Sequence, residues 1–185
     1  MDASDDFRAL LAAEFAPYER LTHQQLGLLE SHYRLLCNWN GKINLCRFRS
    51  LRELVELHYC ESLYLGLLLP AGSLRIVDVG SGAGFPGVPI AVLRTECFVD
   101  LLEADQRKAA FLREAADGIG NIQVSVGRAD ACTKRYDWVV SRAVRSEDVR
   151  RAGLAPNCAL LTSGPGGTRT PWGNSRFIEV FHVES

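Results

Sequence analysis

The stretch "RIVDVGSGAGFPGVPIAV", Arg75 to Val92, decides the fold. A β-rich apolar run from Leu74 to Val79 gives way to glycines at 80, 82, 84 and 87. An apolar helical pattern then opens near Pro86, where proline is tolerated at a first helical position. Strand, glycine loop and helix in this order place a ligand at the carboxyl edge of an open parallel sheet. Glycine permits positive φ and lets the chain approach that ligand closely.

Two fingerprints overlap in the loop. Gly82-Ala83-Gly84-Phe85-Pro86-Gly87 spells GxGxxG, the dinucleotide pattern. Asp78-Val79-Gly80-Ser81-Gly82-Ala83-Gly84 spells DxGxGxG, a pattern suited to S-adenosylmethionine. Both want an acid at the end of the next strand for ribose hydroxyls, and Glu103, closing "FVDLLE", supplies it. Asp78 separates them. A carboxylate there would repel a pyrophosphate and attract a cationic amino group, so the expectation is S-adenosylmethionine. A nicotinamide-dependent oxidoreductase is the rival from another enzyme class.

Around this unit the chain changes rhythm once. Up to residue 72 it reads as helical, a helical extension packed on a core that occupies 73–185. Asp5 to Phe15 has apolar residues at helical spacing. Thr22-His23-Gln24-Gln25 and Ser50-Leu51-Arg52-Glu53 read as capping boxes that open helices to about Trp39 and Leu68. From Leu74 onward "LRIVDV", "CFVDLLE", "IQVSVG", "YDWVVSRA" and "CALLTS" are short strands, with "PGVPIAVLR" and "DQRKAAFLREAADGI" as helices between the first three. Strand alternating with helix predicts an α/β fold, a Rossmann-like parallel sheet covered on both faces. A glycine-proline loop, "GPGGTRTPWGNS", and a last strand, "RFIEVFHV", follow.

Composition narrows the class. With 47% hydrophobic and 23% charged residues, the 185-residue chain can bury a core. It shows no apolar run of membrane-spanning length and no signal-like amino terminus, so the expectation is a cytoplasmic protein without a membrane partner. A net charge of −1 gives no general pull toward nucleic acid, although the six acids and two arginines of residues 1–30 leave the remainder net basic. The six cysteines stand singly, which predicts free, mostly buried thiols and no metal site.

"NWNGKINL", "HYCESL", "DVGSGAGFPGVPIAV", "LLEADQRKAAFLREAA", "VGRAD" and "SRAV" follow one another in the order seen in the GidB/RsmG family, which the chain resembles over about residues 30–145. The resemblance implies a class I methyltransferase with an N-terminal helical extension that transfers a methyl group from S-adenosylmethionine to guanine N7 in 16S ribosomal RNA. It implies Gly80 and Phe85 in the cofactor loop, to which the DxGxGxG pattern itself adds Gly82 and Gly84. It also implies Glu103, Ala104 and Asp105 by the ribose and adenine, Ala129 and Asp130 at the adenine edge, and Arg142 facing methionine and substrate. Asn44 and His58 match family positions near an RNA entrance. The partner would be 16S RNA or the small subunit, with a monomer as the working expectation. Guanine N7 carries a lone pair and no proton, so no general base is assigned.

Each residue also has a plainer reading. Asp130 could cap a helix. His58 shares a face with Leu51, Leu54 and Val55, which suits a core histidine bonded to backbone. Asn44 could hold the turn after Gly41. The clusters "FRSLR" and "RAVRSEDVRR", with Arg47, Arg49 and Arg145, could track phosphates or be solvated faces. Arg142 is harder to dismiss, since a charge directly after "DWVVS" must find a partner or water. The chain departs from the family after its fifth strand, where "LLTSGPGG" stands in place of a lysine and glycine. The tract that follows is short, which predicts a reduced C-terminal strand pair with no helix before the last strand. A module that binds cofactor without turnover is therefore a third reading.

Overall fold

The computed structural model describes residues 3–142, 144–164, 166–173 and 175–183; Ala143 of "SRAV" and Pro165 and Asn174 of the glycine-proline loop lie outside them. Helices α1 (Ala3–Phe15) and α2 (His23–Asn40) come first. Helices α3 (Leu51–Leu54) and α4 (Glu61–Leu68) follow, joined by a π-helical turn, Val55–Cys60. Thr22 caps α2 in a full box: its Oγ1 accepts the Gln25 N–H at 3.2 Å, and the Gln25 side chain accepts the Thr22 N–H at 2.8 Å. Ser50 fulfils half of the second. Its hydroxyl accepts the Glu53 N–H at 3.1 Å, but the Glu53 carboxylate takes the N–H of Arg49, one residue too early. The single helix expected from Ser50 to Leu68 is widened at the π turn, a register change that apolar periodicity does not announce.

The sheet runs β3-β2-β1-β4-β5-β7-β6. Strands β1 (Arg75–Val79), β2 (Phe98–Glu103), β3 (Ile122–Val126), β4 (Trp138–Ser141) and β5 (Asn157–Thr162) are mutually parallel. Strand β7 (Phe177–His182) runs antiparallel to β5, and the two-residue β6 (Thr168–Arg169) pairs with β7 inside the glycine-proline tract. Among the described residues no helix separates β5 from β7. Helices α5 (Gly87–Leu93) and α6 (Gln106–Ala115) sit where the sequence places them. Helix α7 (Ser146–Ala152) lies in the "RAVRSEDVRR" run, where charge hid it: Val149 is its one buried residue among those described.

Alternation along the strands divides the core. Ile76, Val99 and Leu101 face a cluster that also holds Phe7, Leu11, Phe15, Leu29, Leu36 and Phe111. Val77, Val79, Leu102 and Val139 face the other side with Val149 and Leu154. The N-terminal helices thus share the sheet's own core. Each fully buried Leu or Phe there contributes about 1.5–3 kcal/mol. Cys60, Cys97 and Cys158 are buried, Cys46 and Cys132 half-buried and Cys37 exposed, all free. Among the described residues no helix is long and apolar enough to cross a membrane, and no His/Cys/Asp/Glu group could hold a metal.

Candidate functional site

Strand order reverses between β1 and β4, and the glycine loop leaves β1 at that point. Gly80, Gly82 and Gly84 have φ of +71°, +54° and +84°, a region that side-chain-bearing residues rarely enter. The loop is tied down at several points. The Gly80 N–H donates to Leu102 O at 2.8 Å, the Gly84 N–H to Ser81 O at 2.7 Å, and the Gly82 N–H to Glu103 Oε2 at 2.9 Å.

Asp78 corrects the sequence reading. Expected beside a ligand's amino group, it is fully buried beneath the loop, and its Oδ2 accepts the Gly87 N–H at 2.9 Å. Burial pushes its pKa up to about 7, against the opposing pull of that hydrogen bond. Strand alternation explains the placement: Asp78 shares the face of Ile76, toward α5, not the open edge. Its carboxylate occupies the helix-terminal N–H that a pyrophosphate would need, and every residue of α5 is buried. The dinucleotide reading loses its binding point.

The same packing makes Gly87 intolerant of a side chain. An added Cβ would fall onto Leu101 Cδ2 and within 2.7 Å of Asp78 Oδ2. Gly87→Ala is expected to cost about 1–3 kcal/mol by overpacking. At roughly 2–4 °C per kcal/mol, thermal unfolding should show a clearly lower Tm; an unchanged Tm would refute the tight fit.

Two hollows flank the loop. The first, about 400 Å³, lies over the ends of β1 and β2 and is walled by Ala104, Ala129, Asp130, Arg145 just before α7 and Arg151 within it. The second, about 440 Å³, is walled by Gly82, Phe85, Arg47, His58, Lys108 and Arg142. Gly80, Glu103 and Val144 border both. Glu103 is buried, and each of its carboxylate oxygens already holds one N–H: Gly82 on Oε2, and Asp105 on Oε1 at 2.9 Å. A carboxylate accepts about four hydrogen bonds, so capacity for two hydroxyls remains.

Arg142 follows β4 directly and lines the second hollow. Its Nη1 is buried with no hydrogen-bond partner among the described residues. Desolvation, reinforced by nearby Arg176, lowers its pKa to about 10, so it stays cationic at neutral pH. His58, presented by the π turn, is 8% exposed and its Nδ1 also lacks a partner. Burial, then Arg142 and Arg176, push its pKa down to about 3, so the ring is neutral. Its burial agrees with the core reading, while its place on the wall agrees with the other.

The other expected residues divide between the hollows and other roles. Gly84 is buried in the loop's own turn. Asp105 caps α6, accepting the N–H groups of Arg107 and Lys108, which lowers its pKa. Asp130 lines the first hollow but caps no helix; it pairs with Arg128 at 3.2 Å. Asn44 is exposed and borders neither hollow; Asn40 organises that turn, its Oδ1 accepting from Leu45 and Cys46 N–H. Arg49 borders neither hollow, whereas Arg47 and Arg145 each border one. Arg151 belongs to the "RAVRSEDVRR" cluster, whereas Lys108 went unremarked in the sequence. Lys108 carried a signal, since the N-cap Asp105 fixes it in the first turn of a helix after β2.

Comparison with known proteins assigns the family. The family model described as rRNA small subunit methyltransferase G (GidB) matches residues 25–155. The chain belongs to this family. A ribosomal RNA small subunit methyltransferase G of Chromobacterium violaceum is 39% identical, over 66% of this chain and 60% of its own length. One of Thermosynechococcus vestitus is 38% identical, over 84% and 74%. The chain thus spans less than two thirds of the first relative. Among solved structures, a proposed RNA methyltransferase of Pyrococcus horikoshii matches at 16% identity and TM-score 0.50, covering 72% of each chain. Coclaurine N-methyltransferase bound to N-methylheliamine and SAH matches at 15% and 0.51, covering 85% of this chain and 57% of its own. These likenesses establish the methyltransferase fold for this family member.

Proposed function

We propose that the chain transfers a methyl group from S-adenosylmethionine to N7 of a guanine in 16S ribosomal RNA. The observation that carries the reading is Arg142: a cation with a buried, unpartnered nitrogen, in a hollow that Glu103 separates from a second one. Hollows of this size suit a nucleoside on one side and an amino-acid end with an incoming base on the other. The residues present fit the cofactor. Glu103 would hold its ribose hydroxyls, Ala104 and Ala129 would flank the adenine, and Arg142 would take the methionine carboxylate or the guanine O6. When bound, S-adenosylmethionine supplies a methyl group on a cationic sulfur.

The chain's own residues then align and exclude water. Phe85, 4% exposed and held edge-on by Tyr59 at 5.0 Å, gives the second hollow a firm apolar wall. Alignment of this kind is worth up to about 7–11 kcal/mol in well-oriented cases. No proton leaves N7 before attack, and neutral His58 need not act as a base. Exposed Arg47 on the rim and Arg145 by the first hollow would meet RNA phosphates.

The test pairs calorimetry with transfer of labelled methyl groups to small-subunit RNA or subunits, followed by mapping of the modified base. The reading expects cofactor binding and a methyl on guanine N7. Binding without transfer would favour the non-catalytic module, and binding of NADH in place of S-adenosylmethionine would restore the oxidoreductase.

A further inference from the structure

We propose that His32, on the N-terminal helix α2, is a positioning residue that holds the glycine loop in its ligand-receiving shape. His32 is 1% exposed, and both ring nitrogens are engaged. Nε2 lies 2.9 Å from Ala83 O, and Nδ1 lies 2.7 Å from the Tyr59 hydroxyl. A carbonyl can only accept, so Nε2 carries the proton and Nδ1 receives the Tyr59 O–H. Burial pushes the His32 pKa down to about 4 and raises that of Tyr59, which keeps this single arrangement at neutral pH.

The chain of bonds runs from the π turn through α2 to Ala83, a wall residue of the second hollow. The His32 ring also stands edge-on to Phe85, with centroids 5.3 Å apart. Glu103 fixes the loop through the Gly82 N–H, and His32 fixes the next residue through its carbonyl. In a segment with three glycines at positive φ each lost tie adds mobility, and a ligand would bear the cost of ordering it. Without His32 the Ala83 carbonyl would be buried and unpaired, which favours rearrangement.

This inference rests on the loop being the cofactor cradle, and calorimetry with S-adenosylmethionine on the full chain keeps the two separable. His32→Leu is expected to raise the Kd about tenfold. His32→Gln, whose amide can still donate to Ala83 O, should recover part of that. Tyr59→Phe should raise the Kd a few-fold, and the double variant should be little worse than His32→Leu alone, since both act through one path. In the transfer assay KM for the cofactor should rise while kcat stays within about twofold, the mark of binding lost equally in ground and transition states. A lowered Tm with an unchanged Kd would make His32 merely structural and overturn the proposal, as would additive effects. Should His32→Leu not fold, an unchanged Kd in Tyr59→Phe overturns it alone. A wild-type chain that binds no S-adenosylmethionine would remove the cradle reading beneath it.

Discussion

Arg142→Ala is expected to slow methyl transfer about a hundred- to a thousandfold while leaving the ligand-free protein as stable as the parent, or more so. The argument starts from an imbalance. The guanidinium has a buried nitrogen with no hydrogen-bond partner among the described residues, near the like charge of Arg176. Such a group weighs against the folded state, so its removal relieves desolvation and repulsion. In the complex the same group would meet a carboxylate or a purine O6, and losing one preorganised donor at a reacting centre costs about 2.7–4 kcal/mol. Activity and stability should therefore move in opposite directions, the signature of a group kept for function. Arg142→Lys keeps the charge but loses the planar fork and should fall between the two. The checks are kcat/KM with labelled cofactor, cofactor Kd and Tm on the same samples. A wild-type rate with unchanged affinity would discard the role.

The fold was legible because its signals are local. Glycines at 80, 82 and 84 need positive φ, and β-rich runs alternate with helical ones through β3, so strands, loop and the first of two helices stand within a residue or two of expectation, while α6 ends four residues before the expected Ile119. The site was legible where position follows from topology. Glu103 ends β2 and Arg142 follows β4, so both must reach the carboxyl edge whatever their neighbours.

What went unread depends on contacts between distant residues. Asp78 was weighed by charge alone, although its strand parity with Ile76 already turned it toward α5. The electrostatic reason for preferring S-adenosylmethionine was thus misplaced; the capped, buried start of α5 is the physical reason that replaces it. His32 stood on the same helical face as Leu29 and Leu36, where a polar ring announces a buried partner. No sequence spacing could pair it with Ala83, 51 residues away. The π turn has no compositional signature, yet it lets neighbours serve different tasks: His58 lines the hollow while Tyr59 reaches His32.

Glu61→Ala is expected to cost about 3–5 kcal/mol, the loss associated with breaking a buried ion pair from one side. Glu61 opens α4 and is fully buried. Arg176, just before β7, donates to it through Nε at 3.2 and 3.1 Å and through Nη2 at 2.9 Å, and the Thr170 Oγ1 lies 3.0 Å from Oε1. This contact ties the C-terminal strands to the helix that follows the π turn. The register of β5 against β7 puts Phe177 opposite Thr162, so Arg176 stands beside the end of β5. Truncating Glu61 leaves a half-buried guanidinium without its partner and closer in effect to Arg142, whose pKa Arg176 already lowers. The double variant Glu61→Leu/Arg176→Met, which removes both charges, should recover much of the lost stability, since the cost lies in the charge left behind. Chemical denaturation of the three proteins decides it. If Glu61→Ala unfolds within 1 kcal/mol of the parent, the pair is no anchor; if the double variant is as unstable as the single, the loss comes from packing and not from charge.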